Sequence, residues 1–199
     1  MSKFAGAGFL ISFLFALGGC AGKDFVRPGT DAFRLSQTTY SQVVQQMGEP
    51  SKIGEVLRNG KQVKSISYAY ASTGGEPLEE GVIAARALAY FFYADTLVGQ
   101  EFISSFKSDN SNFDEKKIDA IKKGQTTRSE AIQLMGKPSA SYVPPMVKET
   151  AGEAIGYAYV TTRGGVFSGF KIFSKILRIS FDDRNLVSDV DYTSSGNPG

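Results

Sequence analysis

Two short amphipathic stretches of nearly the same sequence are the most informative pattern in the chain. Residues 36–51 and 124–139 align without a gap and are identical at nine of sixteen positions. In each stretch the apolar residues have the i, i+1, i+4 spacing that forms one stripe on a helix. They are Val43, Val44 and Met47 in the first copy and Ala131, Ile132 and Met135 in the second. The pattern therefore predicts an internal repeat built around a short helix.

Both predicted helices carry the same boundary signals. Each begins with a threonine that is followed three residues later by Gln or Glu, which is the spacing of a capping box. Each ends in a glycine, followed two residues later by a proline, and these residues stop a helix. The signals are Thr39, Gln42, Gly48 and Pro50 in the first copy and Thr127, Glu130, Gly136 and Pro138 in the second. We expect helices over 39–47 and 127–135 that need packing partners to stay folded.

Alternating apolar residues after each helix predict strands. The strand residues Tyr68-Ala69-Tyr70 recur as Tyr157-Ala158-Tyr159, with an offset one residue larger than that of the helices. A leading helix before each capped helix and three strands after it complete the pattern. The sequence therefore predicts an α+β fold of two tandem helix-helix-strand-strand-strand units with antiparallel sheets, spanning 31–108 and 109–196.

The first twenty residues have the pattern of an export signal. Lys3 precedes an apolar run over residues 4–15, and this run is too short for a stable transmembrane helix. Leu17-Gly18-Gly19-Cys20 follows and resembles the lipobox of bacterial lipoproteins. We therefore expect a signal peptide over 1–19 and a lipidated tether over 20–30, attached through Cys20. An ordinary signal peptide with an accidental cysteine is the alternative.

The residue after the cysteine bears on localisation. In lipobox signals an aspartate at this position is the usual signal for retention in the inner membrane, and here the residue is Ala21. The resemblance implies a protein that is lipid-anchored to the outer membrane on its periplasmic face. Because several acyl chains hold a lipoprotein, the attachment would be effectively permanent.

Composition and charge argue against several function classes. The net charge is only +2, so the chain lacks the basic footprint of a nucleic-acid binder. It contains no histidine, which removes the usual acid–base residue and the commonest zinc ligand. The pairs Asp182-Asp183 and Asp189-Asp191 could in principle share a proton or bind calcium, but the first pair lies in a predicted hairpin turn, where aspartate is favoured for backbone reasons. We predict no enzymatic activity, no cofactor, no metal, no nucleic acid and no small-molecule substrate.

Two places where the copies differ are candidate partner-binding surfaces. In the first copy Phe91 and Tyr93 would point away from Phe92, so both faces of that strand would be apolar and either the other repeat or a partner would cover the second face. In the second copy an aromatic and cationic stretch lies between the first and second strands. It either fills the second core or contacts a membrane protein or lipid headgroups. Its candidate residues are Phe167, Phe170, Lys171 and Phe173.

These features together resemble the BamE (SmpA/OmlA) lipoprotein family. That family has a lipidated cysteine, a Gly-x-Thr helix start, and a Leu-Gly-x-Pro helix end before a Tyr-bearing strand. The corresponding residues are Gly124, Thr127, Met135-Gly136-Lys137-Pro138 and Tyr157 in the second copy, and Thr39, Met47-Gly48-Glu49-Pro50 and Tyr68 in the first. Gly124 departs from the family's pattern, since it stands one residue further from Thr127. The resemblance implies a non-enzymatic scaffold or accessory of an envelope complex, such as the barrel-assembly machinery, acting in outer-membrane protein assembly or envelope integrity.

The tandem arrangement is closer to another family. Typical BamE proteins carry one unit, whereas the β-lactamase inhibitor protein repeats a similar unit twice. This second resemblance implies the alternative function of a lipid-anchored periplasmic binder or inhibitor of an enzyme.

Overall fold

One antiparallel sheet of eight strands runs through the chain, and its strands lie side by side in sequence order. The computed structural model describes residues 22–29, 31–148, 152–165 and 168–196. The strands are β1 (Lys52–Arg58), β2 (Lys61–Ser72), β3 (Ala84–Tyr93), β4 (Thr96–Ser104), β5 (Ala140–Tyr142), β6 (Glu153–Gly165), β7 (Gly169–Phe181) and β8 (Val187–Ser195). The helices are α1 (Tyr40–Met47), α2 (Arg128–Met135) and a 3₁₀ helix (Glu115–Ala120).

This single sheet shows that the predicted fold class was wrong. The chain is mainly β, not an α+β pair of units with separate sheets. The sheet continues across the expected boundary because β4 pairs with β5, with Gly99 opposite Tyr142 and Glu101 opposite Ala140. The leading helices are also largely missing, since residues 31–38 form turns and the second leading segment is only a short 3₁₀ helix.

Two strands that the sequence pattern did not predict explain the difference. β1 pairs with β2 through the tight turn at Asn59-Gly60, and it is an edge strand whose side chains are mostly exposed. Its apolar residues Ile53, Val56 and Leu57 do not alternate with polar ones, so the strand lacks the period-two pattern that reveals a half-buried strand. β5 has only three residues, which is too short for any periodic signal.

The two capped helices are confirmed. α1 begins after Thr39 and α2 after Thr127, and both halves of each capping box are formed. Gly48 and Gly136 follow the helices with φ angles of 79° and 87°, a region that glycine adopts without strain.

Each helix end is fixed to the sheet by the same hydrogen bond. The hydroxyl of Tyr68 donates to the carbonyl of Gly48 at 2.9 Å, and the hydroxyl of Tyr157 donates to the carbonyl of Gly136 at 2.9 Å. The repeated tyrosines therefore serve both as buried strand residues and as polar partners for the otherwise unpaired helix ends.

We expect Tyr68→Phe and Tyr157→Phe each to lower the free energy of unfolding by about 1 kcal/mol, because each leaves a helix-end carbonyl without its donor. Urea unfolding measures the loss. Tyr70→Phe is the matched control, since that ring stacks on Phe106 and its hydroxyl has no partner among the described residues. An equal loss in the control would contradict the assigned role of the two hydrogen bonds.

Both helices pack on the same face of the sheet, which we call the helix face. Directly paired residues share a face, and one row of pairs runs from Tyr90 through Gln100 and Ser141 to Ile155. Tyr90 belongs to the core that includes residues of α1, and Ile155 to the core that includes residues of α2. The opposite side, which we call the open face, carries no helix in the described part of the chain.

The open face is covered at one end only. We call the end of the sheet where the turns β1–β2, β3–β4 and β7–β8 lie the turn end. There the segment 143–148 lies over the open face. Its Met146 and Val147 are buried against Val63 and Phe91. The opposite end, the hairpin end, carries the loop 73–83 and the tip of the β6–β7 hairpin. That end of the open face is therefore accessible.

Residues 22–29, which we call the N-terminal strap, lie across the helix face. Phe25 packs edge-on against Tyr68, and Arg86 donates to the carbonyl of Phe25 at 2.8 Å. Arg27 lies over the ring of Phe102 and donates to the carbonyl of Pro138 at 2.9 Å. The described part of the expected tether is thus docked on the protein. Within the described ranges every helix is too short or too polar to cross a bilayer.

Candidate binding face on the sheet

Small residues form the floor of the open face. Strand alternation places alternate residues of β2, β3 and β6 on this side, and most of them are alanine or glycine. They are Ala69, Ala71, Ala85, Ala87, Ala89, Ala154, Gly156 and Ala158. Only Ala69, Ala71 and Ala85 are partly exposed, whereas the other five are buried, and Ala89 and Ala154 belong to the cluster under the segment 143–148. Because these side chains are short, a partner's side chains could approach the sheet closely at the three partly exposed alanines.

A strip of larger apolar residues continues this floor toward the hairpin end. Val160 and Ile176 are partly exposed, while Ile172 and Phe170 are 54% and 42% exposed. The pairing register puts all four on the open face. Single exposed apolar residues are common, but a contiguous strip on an uncovered sheet is typical of an interaction surface.

A buried carboxyl group lies at the centre of the open face, where the two halves join. One row of paired residues runs from Glu101 through Ala140 and Gly156 to Arg178. Glu101 is only 5% exposed and accepts a hydrogen bond of 2.8 Å from the hydroxyl of Tyr142. Burial raises the pKa of Glu101 to about 7, although that hydrogen bond and the positive charge of Arg58 oppose the rise.

Gly99 makes room for the Tyr142 ring. A Cβ atom on Gly99 would lie 3.1 Å from Cδ1 of Tyr142, whereas one on Gly156 would make an ordinary contact of 3.5 Å with Cε2. Burial and the nearby Glu101 raise the pKa of Tyr142 well above its ordinary value, so its hydroxyl remains a donor. Glu101 and Tyr142 can therefore hold a proton where the two halves of the sheet join. Near neutral pH the carboxyl of Glu101 is close to ionising.

The structure places Phe91 and Tyr93 on the open face under the chain's own cover. Phe91 is 7% exposed, and its ring and the side chain of Met146 both lie beside Gly99. Tyr93 is partly buried against the same cluster. Residues of the second half therefore cover this apolar side of β3.

The aromatic and cationic stretch is divided between the two faces. Phe170 lies on the open face, whereas Lys171 is exposed on the helix side and Phe173 is partly buried there. Phe167 and Cys20 lie outside the described residues. The stretch consequently does not act as one surface, and only its apolar open-face side chains join the strip described above.

The aspartates have structural partners. Asp182 accepts hydrogen bonds from the backbone N–H groups of Arg184 and Leu186, which fix the β7–β8 turn. Asp189 pairs with Lys123 at 2.6 Å. Among the described residues there is no group of three His, Cys, Asp or Glu side chains that could hold a metal ion.

Sequence reasoning missed Glu101 and Tyr142, whereas Ile172 lies within the aromatic and cationic stretch that it singled out. A signal was present in β3, where Ala85, Ala87 and Ala89 alternate with larger residues and mark a small-residue face of the sheet. No local signal connects Glu101 with Tyr142, since they meet only through the β4–β5 pairing.

Comparisons with known proteins do not identify a family for this chain. No protein-family model matches the chain, including that of the BamE family, and no curated protein matches. A search of solved structures finds a crystal structure described as a "putative beta-lactamase inhibitor protein" from Streptococcus mutans. It has 14% sequence identity and a TM-score of 0.41, with 78% of this chain and 82% of that chain covered. A match at this level carries no argument about function.

Proposed function

We propose that this protein is an outer-membrane lipoprotein that binds another envelope protein across the open face of its sheet and catalyses no reaction. The single observation that carries the proposal is the asymmetry of the sheet. Most of one face is covered by α1, α2 and the N-terminal strap, whereas the hairpin end of the other presents the partly exposed Ala69, Ala71 and Ala85 together with Val160 and Ile176. Such a surface gains stability when a partner covers it.

The lipobox-like sequence at Cys20 supports the membrane location. Permanent attachment to the periplasmic face of the outer membrane suits a scaffold or accessory of a membrane-bound complex. The barrel-assembly machinery is the partner that the sequence resemblance suggests, with a role in outer-membrane protein assembly or envelope integrity. Nothing in this role needs a cofactor, a nucleic acid or a small-molecule substrate.

The alternative is a lipid-anchored binder or inhibitor of a periplasmic enzyme. The flat alanine floor favours it, because a protruding loop of an enzyme could lie against the sheet without a deep groove. We rank it second, since an inhibitor of a diffusing enzyme gains little from permanent attachment.

Site-specific photo-crosslinking in intact envelopes tests the proposal. A photoreactive amino acid replaces Val160 or Ile176 on the open face, and Asp183 in the exposed β7–β8 turn serves as the matched control. We expect discrete crosslinked products at the first two positions and none at Asp183. Mass spectrometry then identifies the partner.

The identity of the partner separates the two functions. Barrel-assembly components crosslinked through Val160 and Ile176 would support the scaffold, and a soluble hydrolase would support the inhibitor. The same products at Asp183, or no product at either open-face position, would refute binding across this face.

A further inference from the structure

The N-terminal strap brings the start of the described chain to the hairpin end of the sheet. A Cβ atom on Gly22 would lie 1.9 Å from the carbonyl oxygen of Ala69, so Gly22 touches the last part of β2. The loop that follows β2 reaches β6, where Ile83 donates to the carbonyl of Thr162 at 2.8 Å. In the pairing register Ala69 is level with Ala158, so Gly22 lies on the hairpin-end side of the sheet centre, six residues along β6 from Gly164.

The spacing to the expected lipid anchor is very short. Gly22 is two residues from Cys20, and two extended residues span at most about 7 Å. Because residues 22–29 are docked through Phe25 and Arg27, no long flexible linker separates the folded protein from the anchor. An acylated Cys20 would consequently hold the hairpin end toward the bilayer.

The hairpin end carries exposed apolar side chains near its tip. Phe170 and Ile172 are among the large apolar residues that are exposed to solvent. Their cross-strand neighbours are Gly164 and Thr162, which are too small to cover them. An aromatic and an aliphatic side chain beside an exposed Lys171 are typical of a segment that enters the boundary between headgroups and acyl chains.

Some of the nearby charges are paired within the protein, whereas Glu76, Glu80 and Lys171 are exposed. Arg163 pairs with Glu79 at 2.7 Å and also donates to the carbonyl of Glu80. Tyr159 donates to the other oxygen of Glu79 at 2.8 Å. Because the remaining exposed charges have both signs, contact with a bilayer would depend mainly on the apolar side chains, and added salt should weaken it little.

We infer that the start of β7 inserts Phe170 and Ile172 into the bilayer to which Cys20 is anchored, and so fixes the orientation of the sheet on the membrane. This inference rests on the lipid anchor of the proposed function. The open face then stands out from the membrane surface, with its floor available to a partner.

Tryptophan fluorescence tests the insertion, because the chain contains no tryptophan. The full chain carrying Phe170→Trp or Ile172→Trp is purified from envelopes and reconstituted into vesicles of phosphatidylethanolamine and phosphatidylglycerol. Brominated lipids quench a tryptophan that reaches the acyl chains. We expect a blue shift and strong quenching for both variants, unchanged at high salt. Asp183→Trp at the turn end is the control, and it should remain unquenched.

The intact mass of each purified variant reports separately whether Cys20 is acylated. If the protein is acylated but the tryptophan stays unquenched at both position 170 and position 172, the insertion is refuted and the lipid anchor is supported. Quenching of the Phe170→Trp variant without acylation would uphold the insertion and refute the anchor. Equal quenching at positions 170 and 183 would overturn the proposed orientation, and neither acylation nor quenching would refute both proposals.

Discussion

Replacing Glu101 with glutamine should stabilise the protein at pH 8 by up to about 3 kcal/mol and remove most of the pH dependence that this residue causes. In the unfolded chain the carboxyl ionises near its ordinary pKa of 4.5, whereas in the folded protein its pKa is about 7. Between these values the folded state binds more protons, so stability falls as pH rises. Above pH 7 the folded protein carries the full cost of a buried carboxylate, and glutamine avoids it.

Urea unfolding at pH 5 and pH 8 measures this effect. Glu55→Gln on the edge strand β1 is the matched control, because Glu55 is exposed. We expect a gain at pH 8 for the Glu101 variant only. If Arg58 and Arg178 instead hold Glu101 as a favourable carboxylate, the substitution would destabilise the protein at pH 8, and our assignment would be wrong.

Replacing Tyr142 with alanine should lower the free energy of unfolding by about 3–5 kcal/mol, as for other fully buried aromatic residues. Tyr142 is 6% exposed and packs beside Gly99 on one strand and Gly156 on another. The variant also leaves Glu101 without its hydroxyl donor. Because strand pairing between the halves depends on the three residues of β5, we expect its disruption to let the two helix-face cores unfold in separate steps.

Phe181→Ala is the matched control for this second prediction. Phe181 is fully buried, but it lies in the core of the second half and away from the join. We expect a similar loss of stability in one cooperative transition. Hydrogen exchange followed residue by residue distinguishes the cases, and a single transition for Tyr142→Ala would contradict the role given to β5.

The parts of the fold that depend on local chemistry were predictable from the sequence. The capping boxes at Thr39 and Thr127 and the glycines that end both helices involve residues within one or two helical turns. Their hydrogen bonds form the same way in many proteins, so spacing alone identifies them. Tyr68 and Tyr157 were also identified as strand residues, although their bonds to the helix ends were not.

The arrangement of the strands could not be predicted in the same way. Whether two repeats form two sheets or one depends on the pairing of β4 with β5, across more than thirty intervening residues. The three residues of β5 carry no periodic pattern that would favour this partner. The sequence indicated that both faces of the strand around Phe91 are apolar, but only the folded chain shows that Met146 and Val147 cover one of them.

The docked N-terminal strap has a mechanical consequence. Phe25 holds it to the first half, and Arg27 holds it to Pro138 in the second. Tension applied at a lipidated N-terminus would therefore be shared by both halves instead of peeling β2 away from its neighbours. A protein that is pulled between a bilayer and a large complex could bear that load without opening its narrow join at β5.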